Sequence, residues 1–271
     1  MFKHRQHTAV YKGCGYLTFP LLNPADTDRC LAVYAEVENY HTSVADKFKG
    51  SNSIDDKAVV ANINQRLTQI LTPALQRVFQ NYNSLGCSFL VKEPGADTAV
   101  GAHQDWSYVD EATYSSFNVW IALEDMTVQN GSLWVLPGTH LMGNYLRPAP
   151  DYPVPFARIK KFIERFRKNI YVKAGDCICF NNRTIHGSAP NMGSKARVVV
   201  VTTIYPAQAQ LMHYYIHNSK YPQKVTAYNI SPQQFFEMRK GNPPDTFLNK
   251  KEMVTKYPAY NRVSFLLQWG L

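Results

Sequence analysis

Gly101-Ala-His103-Gln-Asp105-Trp106 sets an imidazole and a carboxylate two residues apart. In an extended chain, side chains i and i+2 share a face, so His103 and Asp105 point together and Gln104 turns away. The pair supplies two ligands of a metal site. A third belongs on a neighbouring strand, and Asn182-Arg-Thr-Ile-His186-Gly-Ser188 offers a histidine after a strand-like run. Two histidines and a carboxylate on one side of a metal form the facial triad of non-haem Fe(II) oxygenases. Catalytic zinc accepts the same donors, so the triad by itself leaves the metal open.

Arg197 narrows the choice. It stands 11 positions beyond His186, at the head of Arg197-Val-Val-Val-Val-Thr-Thr203, which reads as a buried strand. An arginine opening such a strand needs a buried anion to offset its desolvation. We place it on the strand next to the third ligand. There a guanidinium grips the far end of a dicarboxylate bidentately and leaves the near end to chelate the metal. Ser188, two residues past His186, is placed to donate to the same carboxylate.

The ordered set Ala-His103-Gln-Asp105-Trp106, Asn118-Val-Trp120-Ile-Ala-Leu123, Asn130-Gly-Ser-Leu-Trp-Val-Leu-Pro-Gly138-Thr-His140, Gly175-Asp176 and His186-Gly-Ser188 followed by Arg197 resembles the phytanoyl-CoA dioxygenase family of Fe(II)/2-oxoglutarate oxygenases, which also contains ectoine hydroxylases. The resemblance covers roughly residues 85–206. It implies a mainly β fold with flanking helices, a double-stranded β-helix or jelly roll, with His103, Asp105 and His186 on Fe(II). Arg197 and Ser188 would bind the distal carboxylate of the cosubstrate 2-oxoglutarate, and the Trp120 ring would help wall that pocket. Gln104, Trp106 and Tyr108 flank the ligands and are candidates for substrate contact. The implied reaction consumes O2 and 2-oxoglutarate, releases succinate and CO2, and hydroxylates an unactivated C–H bond of a small-molecule or acyl substrate.

At 271 residues the chain is long enough for one large β domain with helical additions. We read residues 1–271 as a single oxygenase domain: a helical part over about 24–84, a jelly-roll core over about 85–206 interrupted by a basic helical insertion at about 141–169, and an extension from 207 to 271. No stretch approaches the roughly 20 uninterrupted apolar residues of a membrane-spanning helix. The N-terminus lacks the apolar core of a secretion signal. Five cysteines, odd in number and scattered, fit reduced thiols. These features set a cytoplasmic expectation. The Cys177-Ile-Cys179 pair is read first as packing, with a redox or metal role as the alternative.

The net charge of +9 admits anionic partners without selecting one. Much of the excess is local: Arg158, Lys160, Lys161, Arg165, Arg167 and Lys168 stand against Glu164. Phe156, Ile159, Phe162, Ile163, Phe166 and Ile170 read as the opposite, apolar face of the same helix. That helix is first a core-packed element with a solvated basic face; a clamp for an anionic substrate group and a membrane-surface or nucleic-acid contact are the sharper readings.

In chain order, residues 8–22 read as short apolar pieces that end at Pro20. A first helix is expected from Asn23-Pro24 to about Val44, and a loop over Lys47–Ser53. A second helix follows from Asp55-Asp56 to about Tyr82, interrupted or restarted at Pro73. Short strands are expected at Cys87–Lys92, around His103, at Phe117–Leu123 and Gly131–Leu136, then at Tyr171–Lys173, Cys177–Phe180, His186 and Arg197–Tyr205. Asn130-Gly131 signals a hairpin. Ser231-Pro232 reads as a capped helix start ended by Gly241 and Pro243-Pro244, and the tyrosine-rich tail as packing. Three rival functions stay open: a zinc hydrolase, which leaves Arg197 unexplained; a nucleic-acid demethylase, disfavoured because valines and not a second arginine follow Arg197; and a non-catalytic jelly-roll binding protein, disfavoured by the intact four-residue set.

Overall fold

The computed structural model describes residues 1–41, 47–218, 223–238, 241–243, 247 and 249–270. Its first element, α1 (Arg5–Cys14), stands where we expect only short apolar pieces, because Tyr11 is its single buried residue and the periodic signal is correspondingly thin. Gly15 ends it in the left-handed region, at φ 78°, with its N–H returned to Tyr11 O. A side chain at Gly15 would collide with the His140 ring.

Strand β1 (Tyr16–Pro20) leads to α2 (Pro24–Val37), capped by the Asn23 side chain on Asp26 N. A tight helical turn at Glu38–His41 ends this helix before the expected limit. Val44 lies outside the described residues. The expected loop holds a short strand, β2 (Phe48–Gly50), and one helical turn.

Helix α3 (Lys57–Val78) starts on the Asp56 side chain and runs through Pro73 without a break. A proline inside a helix costs about 3 kcal/mol. The burial of Ile70, Leu71, Ala74 and Leu75 on either side of it outweighs that cost.

The remaining core strands are β3 (Tyr82–Lys92), β4 (Val100–His103), β5 (Phe117–Ala122), β6 (Leu133–Val135), β7 (Lys168–Asn169), β8 (Asp176–Asn181), β9 (His186–Ser188) and β10 (Arg197–Pro206). Together with β1 and β2 they form two antiparallel sheets, one of six strands in the order β1-β8-β5-β10-β3-β2 and one of four in the order β4-β9-β6-β7. This is the jelly roll, with helices flanking it.

Alternation along the large sheet divides its residues between two cores. Phe89, Val91, Val119, Ile121, Cys177, Cys179, Val198 and Val200 pack against α2 and α3. Trp120, Ala122, Ile178, Phe180 and Val199 face inward against Leu133 and Val135 of the small sheet. Cys177 and Cys179 therefore sit on the helix side as free, fully buried thiols whose pKa values burial raises. That supports the packing reading for both.

The Asn130-Gly131 signal does not make a hairpin. β5 and β6 lie in different sheets. Asn130 instead caps its own loop by accepting from Thr127 N, and Gly131 turns in the left-handed region at φ 78°. Tyr171–Lys173 is not a strand; the pairing residues are Lys168 and Asn169.

The basic insertion is also less regular than its periodicity suggests. Helix α4 (Lys160–Ile163) is one turn with tight turns on both sides. Phe156, Ile159 and Ile163 are buried, whereas Phe166 is 42% exposed and Ile170 lies beyond β7.

The tail builds a further sheet that the sequence reading did not find: β11 (Met212–Ile216), β12 (Gln223–Asn229) and β13 (Lys250–Thr255). Between its strands lies α5 (Pro232–Glu237), whose predicted Ser231 cap is a full capping box, and which ends before Gly241. Pro244 lies outside the described residues. Helix α6 (Arg262–Trp269) closes the chain and buries Phe265 among Phe156 and Ile163.

Candidate active site

β4 and β9 are antiparallel neighbours, and His103 stands opposite His186. Their rings lie 4.2 Å apart, tilted by 51°. β4 stops at His103, so Asp105 belongs to the segment that follows. The two-residue spacing still returns its carboxylate to the same point, with Oδ1 3.7 Å from His186 Nε2. One donor atom from each of the three residues falls within 4.8 Å of the others, the one such group among the described residues.

Each donor is oriented from behind. His103 Nδ1 lies 2.9 Å from Gly101 O, and His186 Nδ1 2.9 Å from Thr184 O. A carbonyl only accepts, so both protons are assigned to Nδ1, leaving both Nε2 lone pairs free for a cation. Asn118 Nδ2 donates to Asp105 Oδ2 at 3.3 Å, leaving Oδ1 toward the imidazoles. The Asp105 backbone is pinned as well: its N–H donates to Asn182 O, and its carbonyl accepts from Arg147 Nε at 2.6 Å. Burial, reinforced by neighbouring His186, pushes the His103 imidazole down to about 4, so it is neutral, as ligation requires.

These three residues open onto a cavity of about 430 Å³ between the two sheets, lined also by Ser188 from the ligands' own sheet and by Trp120 and Arg197 from the other. Arg197 does not lie beside the third ligand's strand as expected. Its neighbours in β10 are β3 and β5 of the other sheet, so it reaches the cavity from across the fold.

Arg197 is 1% exposed, with its guanidinium 5.2 Å from the Trp120 ring. Nη1 donates to Gly131 O at 2.9 Å, but Nε and Nη2 are buried with no partner. Burial lowers its pKa to about 10. Two orphaned donors on one charged plane match the two oxygens of a carboxylate.

Lys92 is the residue that the sequence reading missed. It lies opposite Arg197 in the β3–β10 register, is fully buried, and donates to Ser188 Oγ at 2.6 Å and to Ala189 O at 2.7 Å. Burial first, and the Arg197 charge second, bring its ammonium down to about 7. Because Lys92 occupies a lone pair of Ser188 Oγ, the Ser188 proton is free to turn into the cavity. Alternation held the signal: Lys92 shares a face with Leu90, which lines the cavity.

The candidates for substrate contact behave differently from one another. Gln104 lines the cavity, but its amide is spent inside the protein, donating to Arg183 O at 2.5 Å and accepting from Tyr145 OH. Trp106 and Tyr108 line the same cavity. Trp106 is buttressed by the tail: a side chain at Gly241 would meet its ring at 2.8 Å, and His213 of β11 approaches it edge-on. Burial, and then the Asp105 charge, hold the Tyr108 hydroxyl well above the usual phenol range, so it is protonated.

Known proteins share this fold and part of this sequence. Solved structures of the same fold include AviO1 from Streptomyces viridochromogenes Tue57, 19% identical with TM-score 0.55 over 77% of this chain and 97% of that one. HygX from Streptomyces hygroscopicus, crystallised with nickel, 2-oxoglutarate and hygromycin B, is 15% identical with TM-score 0.54 over 76% of this chain and 88% of that one. Among curated proteins, a phytanoyl-CoA dioxygenase of Arabidopsis thaliana is 37% identical over 116 residues, 40% of this chain and 39% of that protein. The match with phytanoyl-CoA dioxygenase 1 of Oryza sativa subsp. japonica, at 32% identity, likewise spans 40% of each. The alignments thus cover well under half of these relatives. The sequence profile described as phytanoyl-CoA dioxygenase (PhyH) matches residues 18–199, more than half of the chain and the whole of the site: this protein belongs to the phytanoyl-CoA dioxygenase family.

Proposed function

We propose that this protein is an Fe(II)/2-oxoglutarate-dependent oxygenase that hydroxylates an unactivated C–H bond of a small-molecule or acyl substrate, acting as one domain over its whole length. The observation that carries the reading is the pair of buried, unpartnered donors on Arg197 in the cavity that also holds the three metal-ligand candidates. A zinc hydrolase has no use for them. A buried guanidinium without an anion is costly, and a dicarboxylate that chelates the metal at its other end supplies that anion.

In this reading His103 Nε2, His186 Nε2 and Asp105 Oδ1 hold the metal, and Asn118 keeps the aspartate presenting a single oxygen. Arg197 takes the far carboxylate of 2-oxoglutarate through Nε and Nη2. Ser188, its oxygen held by Lys92, adds a third donor. Trp120 lies against the guanidinium and keeps water from its face. Bound iron would supply the activation of O2, with overall conversion of 2-oxoglutarate, O2 and R–H to succinate, CO2 and R–OH. Trp106 and Tyr108 form the remaining wall, where the substrate carbon is to be placed, together with Gln104, whose amide is held by Arg183 and Tyr145.

The test is succinate formation by the purified protein with Fe(II), 2-oxoglutarate and O2, read against substrate panels of acyl thioesters, amino acids and phosphorylated small molecules. Substrate-stimulated succinate release that disappears in His103→Ala supports the reading. Hydrolysis of an ester or amide with zinc, and no 2-oxoglutarate turnover, overturns it.

A further inference from the structure

The basic insertion is left unused by the site, and the fold gives it a neighbour that changes its meaning. Helix α6 packs directly against it: Phe166 meets the Trp269 ring at 5.8 Å, and the Arg262 guanidinium lies 5.2 Å from the Phe162 ring. On the outer side of α6, Val263 and Leu267 are one turn apart, and so share a face, at 67% and 73% exposure. Phe166 is itself 42% exposed between Arg165 and Arg167. Arg165 and Arg167 flank Phe166 in the chain, Arg262 precedes Val263, and Arg158 and Lys161 of the same insertion are exposed as well.

None of those cations forms an ion pair among the described residues. The local acid, Glu164, is turned inward, where Oε1 accepts from Ala102 N at 2.9 Å.

We infer that this surface docks the protein on an anionic lipid bilayer, with Phe166, Val263 and Leu267 entering the headgroup region and these arginines and lysine meeting lipid phosphates and carboxylates. Exposed apolar side chains on the same two elements as exposed cations that form no ion pair match a membrane surface, which offers an apolar layer directly beneath anionic charge. A nucleic acid offers the charge without the apolar layer: its bases stack on aromatic rings, and Val263 and Leu267 have no π-face. The insertion abuts strand β4 behind the ligand His103: Glu164 bonds to Ala102 N, and Ala102 packs with Phe156, Ile163 and Phe265.

Vesicle sedimentation of the full chain tests this without reference to catalysis. The protein should pellet with vesicles of phosphatidylcholine plus phosphatidylserine, not with phosphatidylcholine alone, and should be released by high salt. Each cation near an anionic surface is worth roughly a factor of five in partitioning. R165E/R167E should therefore weaken binding by at least about 25-fold, whereas K224E/K251E, an equal charge change on the tail sheet, should leave it near the wild-type value. V263S/L267S should weaken binding to the same vesicles while the circular-dichroism melt stays unchanged.

Three results would overturn the inference: no difference between the two vesicle types, equal losses in the two charge variants, or tighter binding to a single-stranded oligonucleotide than to the anionic vesicles. A concentration-dependent dimer that V263S/L267S abolishes, with vesicle binding intact, would assign the apolar face to a second copy and overturn it too.

Discussion

Arg147 and Arg197 are both 1% exposed, yet the protein treats the two guanidinium groups in opposite ways. Arg147 meets Glu111 at 2.6 Å, and its remaining donors reach Asp105 O and Tyr145 O. Burial works against its charge, but Glu111 more than offsets that and holds its pKa above the ordinary value. Arg197 has one carbonyl partner and two donors facing nothing, and burial lowers its pKa. The first is a strut, complete within the chain, that fixes the backbone on which Asp105 rides. The second is incomplete within the chain, and its missing partner is a ligand.

The largest effect should come from breaking the completed pair. Arg147→Met leaves Glu111 buried and unpaired, a loss of about 3–5 kcal/mol, seen as a lower denaturant midpoint and weaker metal binding together. Arg197→Leu should do the reverse: stability stays within about 1 kcal/mol of wild type, because a buried charge is removed along with one hydrogen bond, while 2-oxoglutarate binding disappears. If Arg197→Leu unfolds the protein as Arg147→Met does, the contrast between strut and ligand site fails.

Smaller effects sharpen the same contrast through pH. Lys92, lowered to about 7 by burial and by Arg197, is half charged there in the free protein. A carboxylate bound beside it favours the charged form. Affinity for 2-oxoglutarate should therefore be constant below pH 7 and weaken as pH rises above it, by up to about tenfold per unit. Lys92→Met should flatten that slope.

His103 titrates near 4 in the folded chain against about 6.5 when unfolded. The unfolded state thus binds the proton first as pH falls. The metal-free protein should keep this stabilisation above pH 6.5 and lose it progressively toward pH 4, measurable as a falling denaturant midpoint that His103→Gln reduces.

How much was legible in the sequence follows the same division between local and long-range order. The i, i+2 ligand pair is a local pattern, and the strand period brings His103 and Asp105 together even though β4 ends between them. Arg197 was found because a charge heading a run of valines demands an anion, but its strand was misplaced, since strand order depends on contacts far apart in the chain. Lys92 escaped for the same reason: only the β3–β10 register sets it beside Arg197 and behind Ser188. Asn130-Gly131 carries a sound turn signal, yet a turn does not say whether the strands on either side share a sheet. In the tail, β12 is buried on both faces from Val225 to Tyr228, with the polar Thr226 among the buried residues, so no alternation of apolar and polar side chains marks it as a strand. α1 was invisible because it buries a single side chain.

The central claim is that Arg197 completes itself with the carboxylate of a metal-chelating dicarboxylate. Calorimetric titration of 2-oxoglutarate under anaerobic conditions into the Fe(II)-loaded protein, into the metal-free protein and into Fe(II)-loaded Arg197→Leu tests it most directly. The account predicts one equivalent bound in the first, and none in the second or third while the Arg197→Leu protein still takes up one Fe(II). Binding of 2-oxoglutarate that is indifferent to Fe(II) or to the loss of Arg197 would contradict it.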